Sequence, residues 1–156
     1  MKDRIKFNDA MLAAVMDGTK TQTRRPIEPQ PKVTEDELRK VGAWQDGYTL
    51  SEQVCAAWRH GFVDVDCPYG EISDIINIAD KDGNIKGKIE ITDVWLQQLR
   101  DIALGDICKE IGCGLYDFMP AAYGFQVWED TWGSIYGEES WNNNPWVWVI
   151  EFRKVD

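Results

Sequence analysis

The spacing of apolar residues changes several times along the chain, and each change marks an element. Ile5 and Phe7 alternate as a short strand. Asn8 then stands as an N-cap ahead of Met11, Leu12, Val15 and Met16, which share one helical face, and Gly18 ends that helix. Beyond the polar run DGTKTQTRRP, Pro26, Pro29 and Pro31 argue against regular structure, while Thr34 and Glu37 offer a capping box for a short helix ending at Gly42. Residues 43–71 scatter Trp44, Tyr48, Trp58 and Phe62 without a steady period and read as an insertion lying over the core.

From Glu71 the pattern sharpens. Ile72, Ile76 and Ile78 lead to Asp82-Gly83, a dipeptide suited to a tight hairpin turn, and IKGKIEITDVW returns as a second strand. LQQLRDIALGDICKEIG reads as two helical pieces broken near Gly105, with Asp106 as N-cap and Gly112 as stop. Phe125, Trp128, Trp132, Ile135 and Tyr136 recur at helical spacing and predict a stripe facing the core. PWVWVIEFR is apolar on both faces, as a central or barrel-closing strand should be. Strands over 4–7, 72–78, 85–94 and 146–153 in one curved sheet, with helices between them, make an α+β fold: a small mixed barrel in a single domain over 1–156. Residues 27–70 are then an insertion after the first helix.

Composition narrows the class. No apolar run approaches the roughly 18 residues of a membrane span, and MKDRIKF lacks the apolar stretch of a signal peptide, so a soluble, cytoplasmic protein is expected. Cys55, Cys67, Cys108 and Cys113 contain no C-x-x-C pair. The spacing of Cys55, His60 and Cys67 fits no common zinc pattern, so reduced thiols and no metal or other cofactor are expected. The net charge of −10 opposes wholesale binding of a polyanion. Its distribution is uneven: residues 1–32 hold seven basic and four acidic side chains, a balance of +3, which leaves −13 on the other 124. Contact with nucleic acid would fall on the N-terminal segment.

The order of the parts resembles that of an ASCH domain, of the PUA-like superfamily of small mixed barrels associated with RNA or modified-nucleotide binding. The resemblance runs from IKFNDAMLAAVMDG through GTKTQTRR, CPYG, ITDVWLQQLRDI and KEIG to the closing WVWVIEF, and covers most of the chain. CPYG, the helix end SIYG and NPWVWVIEF are similar to small ASCH proteins of bacteriophages and prophages. A partial likeness to bacterial N4-acetylcytidine amidohydrolases implies a catalytic set of Lys20, Thr23 and Glu110, with Arg25 matching an arginine two places past the threonine. Arg24 departs from that pattern, which has an apolar residue there.

Such a trio has a chemical logic. A threonine hydroxyl attacks an amide only if a neighbour takes its proton, and a lysine can do so once burial or nearby cations lower its pKa; Arg24 and Arg25 supply such charge. In an extended segment residues 20 and 23 point to different faces, so their contact requires a turn or bulge. Glu110 would protonate the departing amine. Arg24, Arg25 and Thr21 are the candidate substrate-binding residues, the guanidinium pair being suited to a phosphate or a base edge. Lys20 as a solvated turn residue, Thr21 and Thr23 as plain strand residues and Glu110 as an exposed helical side chain are the duller readings. Cys67 and Tyr69 in CPYG mark a turn. Three functions remain open: a pocket for a nucleoside, nucleotide or RNA; an amidohydrolase acting on an acylated nucleoside; and an acidic phage protein that binds a host protein.

Overall fold

The computed structural model describes residues 2–112 and 121–155; Cys113 lies outside them. Strand β1 (Arg4–Lys6) leads into α1 (Asp9–Asp17), which Asn8 caps by accepting the Met11 amide, and which Gly18 closes at φ 85°. Strand β2 (Gln22–Pro26) follows, then α2 (Glu35–Lys40) with Thr34 as its N-cap, and α3 (Leu50–Arg59). The hairpin β3 (Ile75–Ala79) and β4 (Ile85–Gln98) precedes α4 (Leu104–Ile111), α5 (Ala121–Tyr136), α6 (Glu138–Asn143) and β5 (Trp146–Val155).

All five strands form one mixed sheet in the order β1-β3-β4-β5-β2, with β1 parallel to β3 and the other pairs antiparallel. The architecture is α+β, as expected, and the four foreseen strands lie in that sheet. The sheet curls until its two edges approach. Arg25 on edge strand β2 donates from Nη2 to the Lys6 carbonyl of edge strand β1 at 2.6 Å, so a side chain spans the gap between them.

Strand β5 shows why its sequence is apolar throughout. Trp146, Trp148, Ile150 and Phe152 enter one cluster with Ile5, Phe7, Val54, Ile78 and Leu96, while Val147 and Val149 enter another with Ile107, Trp128 and Trp132. A strand buried on both faces has no polar alternation to display. Each such side chain contributes about 1.5–3 kcal/mol by leaving water.

Several local expectations are corrected. The polar run is not all turn: Gln22–Pro26 is a strand, and Pro26 is tolerated because β2 is an edge. Leu96, Gln97 and Gln98 extend β4 instead of starting a helix, and a 3₁₀ turn over Leu99–Asp101 follows. Gly105 lies inside α4, whose N-cap is Ala103; Asp106 sits in the first turn, where its charge suits the helix dipole. Ile72 precedes β3 and is exposed. In the aromatic stripe Trp128 and Trp132 are buried, but Phe125, Ile135 and Tyr136 are exposed. Residues 50–59, where no period is visible in the sequence, form α3 with a complete Thr49–Glu52 capping box, and its Val54 packs into the core.

Candidate functional site

Lys20 and Thr21 stand between α1 and β2, where the chain is held by α4: the Thr21 amide donates to the Lys109 carbonyl at 2.9 Å. Gly112 makes this approach possible. Its φ is 84°, and a Cβ there would meet Thr19 Oγ1 at 2.8 Å and the Ala14 Cβ at 2.9 Å. The docking of α4 against the end of α1 brings Glu110 to Lys20. Lys20 Nζ donates to Glu110 Oε2 at 3.1 Å, to the Glu110 carbonyl at 2.5 Å and to the Gln22 carbonyl at 2.6 Å, so each of its three protons has an acceptor. The lysine is 2% exposed. Burial drives its pKa down; Glu110 opposes the fall, while the Arg25 and Arg24 charges add to it.

Strand pairing sorts the rest. Gln22 and Arg24 pair with Glu151 and Val149, so they face α4 and α5, whereas Thr23 and Arg25 pair with Ile150 and Trp148 and face the barrel interior. The two terminal nitrogens of Arg24 are engaged with the protein: Nη1 donates to Glu110 Oε1 and Gln22 Oε1, both at 2.9 Å, and Nη2 donates to Gln97 Oε1 at 3.1 Å. Its Nε is buried without a hydrogen-bond partner among the described residues. Arg25 is half-buried. Its Nε donates to Thr23 Oγ1 at 3.2 Å, and its guanidinium lies 5.1 Å from the centre of the Phe7 ring, which Lys20 Nζ approaches from 6.0 Å.

Lys20, Thr23, Arg24, Arg25 and Glu110 line one cavity of about 120 Å³, walled by Phe7 and by Trp128, Trp132 and Tyr136 of α5. Thr21 is not among its lining residues. Of the six candidates, five are thus brought together, across a sequence separation of 90 residues between Lys20 and Glu110. Phe7, Trp128 and Tyr136 were not singled out from the sequence as site residues; the helical spacing of the aromatics points inward but does not separate a core wall from a cavity wall. Beyond Arg25 and Tyr136 the cavity adjoins a hollow of about 530 Å³ bearing Lys2, Glu28, Asp64, Asp66 and Tyr69. A larger hollow of about 860 Å³ beneath α3, next to Trp95 and Gln97, holds neither Lys20 nor Glu110. Among the described residues there is no group of three His, Cys, Asp or Glu placed to hold a metal ion. Cys55, Cys67 and Cys108 are free thiols. No helix among them is long and apolar enough to cross a membrane.

The arrangement can do two things chemically. It presents donors and cations to a small planar group, and it sets Thr23 in the wall of the cavity that a desolvated lysine also lines.

No protein-family model and no curated protein matches the chain. Among solved structures it is similar to an ASCH domain from Lactobacillus crispatus JV V101, with a TM-score of 0.50 and 12% identity over 94% of this chain and 70% of that one. Protein EF3133 from Enterococcus faecalis V583, of the DUF984 family model, is matched over the whole of this chain and 81% of its own, at 16% identity and a TM-score of 0.48. Identities this low speak to architecture alone: the chain has an ASCH-like α+β fold.

Proposed function

We propose that this protein binds a nucleic-acid ligand through one unpaired base, taken into the cavity between Lys20 and Trp128. The ligand is a nucleoside, a nucleotide or a base of single-stranded RNA. The observation that carries this reading is the joint enclosure of Lys20, Arg24, Arg25 and Glu110 by aromatic rings in a volume of about 120 Å³. An apolar cavity of about 150 Å³ holds a benzene molecule, so this one is on the scale of a single six-membered ring. The adjoining hollow sets the rest of the ligand. Glu28, Asp64 and Asp66 outnumber Lys2 and Arg25 there, which disfavours a phosphate and suits sugar hydroxyls, which donate to carboxylates. A free nucleoside therefore fits better than long RNA, in keeping with the net charge of −10. The resemblance of CPYG, SIYG and NPWVWVIEF to phage and prophage proteins supports a viral setting. Calorimetric titration with uridine and cytidine, repeated on Arg25→Ala, tests the reading: saturable binding that weakens in the variant is expected, and heats of dilution alone would overturn it.

A second reading is amide hydrolysis, favoured by one observation: Lys20, its pKa lowered by burial, lines the same cavity as Thr23. Thr23 Oγ would attack the acyl carbon and give its proton to a neutral Lys20 amine; the C–N bond would break as a protonated Glu110 passes its proton to the leaving amine. Water would then cleave the Thr23 ester, giving its proton to Glu110 and releasing the acid while Lys20 returns the proton to Thr23 Oγ. The resting network is arranged otherwise. Lys20 is committed as a triple donor, and Glu110 accepts from both Lys20 and Arg24, so catalysis requires two of these contacts to open. Incubation with N4-acetylcytidine, followed by chromatography, decides it: released cytidine makes the protein a hydrolase, and intact substrate leaves the binding reading.

A further inference from the structure

Trp128 carries chemistry that its role in the core does not use. The residue is 3% exposed, and its indole Nε1 has no hydrogen-bond partner among the described residues. A buried indole N–H normally finds a partner, and leaving a buried donor unsatisfied costs about 1–3 kcal/mol. Its neighbour on α5 shows the usual solution: the Trp132 indole donates to Ser140 Oγ at 3.1 Å. Trp128 instead lines the cavity that holds Lys20 and Glu110, and so does Arg24, whose Nε is the other buried donor without a partner.

The carboxylate of the cavity and the Thr23 hydroxyl oxygen are already engaged. Both carboxylate oxygens of Glu110 accept from cations, and Thr23 Oγ1 accepts from Arg25. Four cationic residues, Lys6, Lys20, Arg24 and Arg25, line the cavity with one carboxylate, Glu110. The buried polar atoms left without a partner here, Trp128 Nε1 and Arg24 Nε, are both donors, so a ligand that satisfies them must bring acceptors.

We infer that Trp128 determines specificity: its indole N–H donates to a ring carbonyl oxygen of the bound base, with Arg24 Nε serving a second acceptor on the same ring. The volume of about 120 Å³ matches one six-membered heterocycle, which makes the ligand class a pyrimidine nucleoside bearing a ring carbonyl. This inference rests on the proposed use of the cavity as a base site.

The test is a cycle between protein and ligand. Uridine and two analogues, each lacking one ring carbonyl oxygen, are titrated into the unaltered protein and into Trp128→Phe, with melting temperature as the folding control. One analogue should bind the unaltered protein about tenfold more weakly than uridine does, and Trp128→Phe should bind uridine about as weakly, with no further loss when both changes are combined. Additive losses, or uridine binding to Trp128→Phe at full strength, would overturn the inference. A second measurement needs no variant: in the unaltered protein the Trp128 indole N–H resonance should shift on saturation with uridine. If uridine binds and that resonance stays in place, the assignment of Trp128 fails while the base-site reading stands. If uridine does not bind at all, both fail.

Discussion

Lys20 and Glu110, 90 positions apart, meet at 3.1 Å with side chains only 2% and 4% exposed. Taking two charges from water is costly, and their attraction offsets that cost only when the remaining protons and lone pairs are also satisfied. Here they are, by the carbonyls of Gln22 and Glu110 and by the guanidinium of Arg24. The contact is built by the docking of α4 on the end of α1, so site geometry and fold stability depend on the same joint.

Lys20 gives the first prediction. Its pKa is lowered from 10.5 by burial, so between the folded value and 10.5 the unfolded chain binds more protons than the folded one. Stability from this group is then present in full above 10.5 and is lost as pH falls through the folded value. In urea unfolding across alkaline pH, the stability of the unaltered protein minus that of Lys20→Met should rise with pH through that window. A difference that is flat or falls would contradict the burial of a charged lysine.

Arg24 and Arg25, adjacent in sequence, should differ in what their loss costs the fold. Arg24→Ala breaks a buried ion pair and should cost about 3–5 kcal/mol, or roughly 10 °C in melting temperature. Arg24→Lys should not restore it, because a single ammonium cannot replace the fork that reaches Glu110, Gln22 and Gln97 together. Arg25→Ala should cost about 1 kcal/mol or less in stability and act on ligand affinity instead. Thermal melts and titrations on both variants check the contrast, which equal melting temperatures would erase.

Gly112→Ala tests the joint. The substitution strains a backbone at φ 84° and pushes a methyl group against Ala14 and Thr19, for a loss on the order of 1–3 kcal/mol. Ligand affinity should fall with it, since α4 carries Glu110. An unchanged melting temperature would show that α4 does not depend on this close approach.

What was legible in the sequence follows from which physics was local. The cap Asn8, the stop Gly18 and the turn around Asp82-Gly83 act within a few residues, and they place α1 and the β3–β4 hairpin correctly. Helix α3 escaped notice although its capping box stands in the sequence, because Ser51 and Gln53 are buried polar residues that break the apolar period. Their partners are distant or in loops: Asp101 and the Gln98 amide for Ser51, the Gln45 amide and Tyr48 carbonyl for Gln53. Strand β2 was hidden for the same reason, since Gln22 and Arg24 are buried by a network that no local pattern announces. Lys20, Thr23 and Glu110 were grouped only through their likeness to a known catalytic set, and that the terminal nitrogens of Arg24 would turn to Glu110, Gln22 and Gln97 while Arg25 faces the other side of the strand required the register of β2 on β5.

The cap of α3 supplies a further check. Thr49→Ala removes the side-chain oxygen that accepts the Glu52 amide and should lower stability by about 1 kcal/mol, with ligand affinity unchanged because α3 borders a different hollow. Reduced affinity in this variant would move the site toward α3.

The central claim is that the ligand enters between Lys20 and Trp128, and a crystal structure of the protein with uridine tests it most directly. The account predicts the pyrimidine ring inside the cavity of Lys20, Thr23 and Trp128, with the sugar directed past Arg25 and Tyr136 toward Asp64 and Asp66. A ring bound instead beneath α3, beside Trp95 and Gln97, would contradict it.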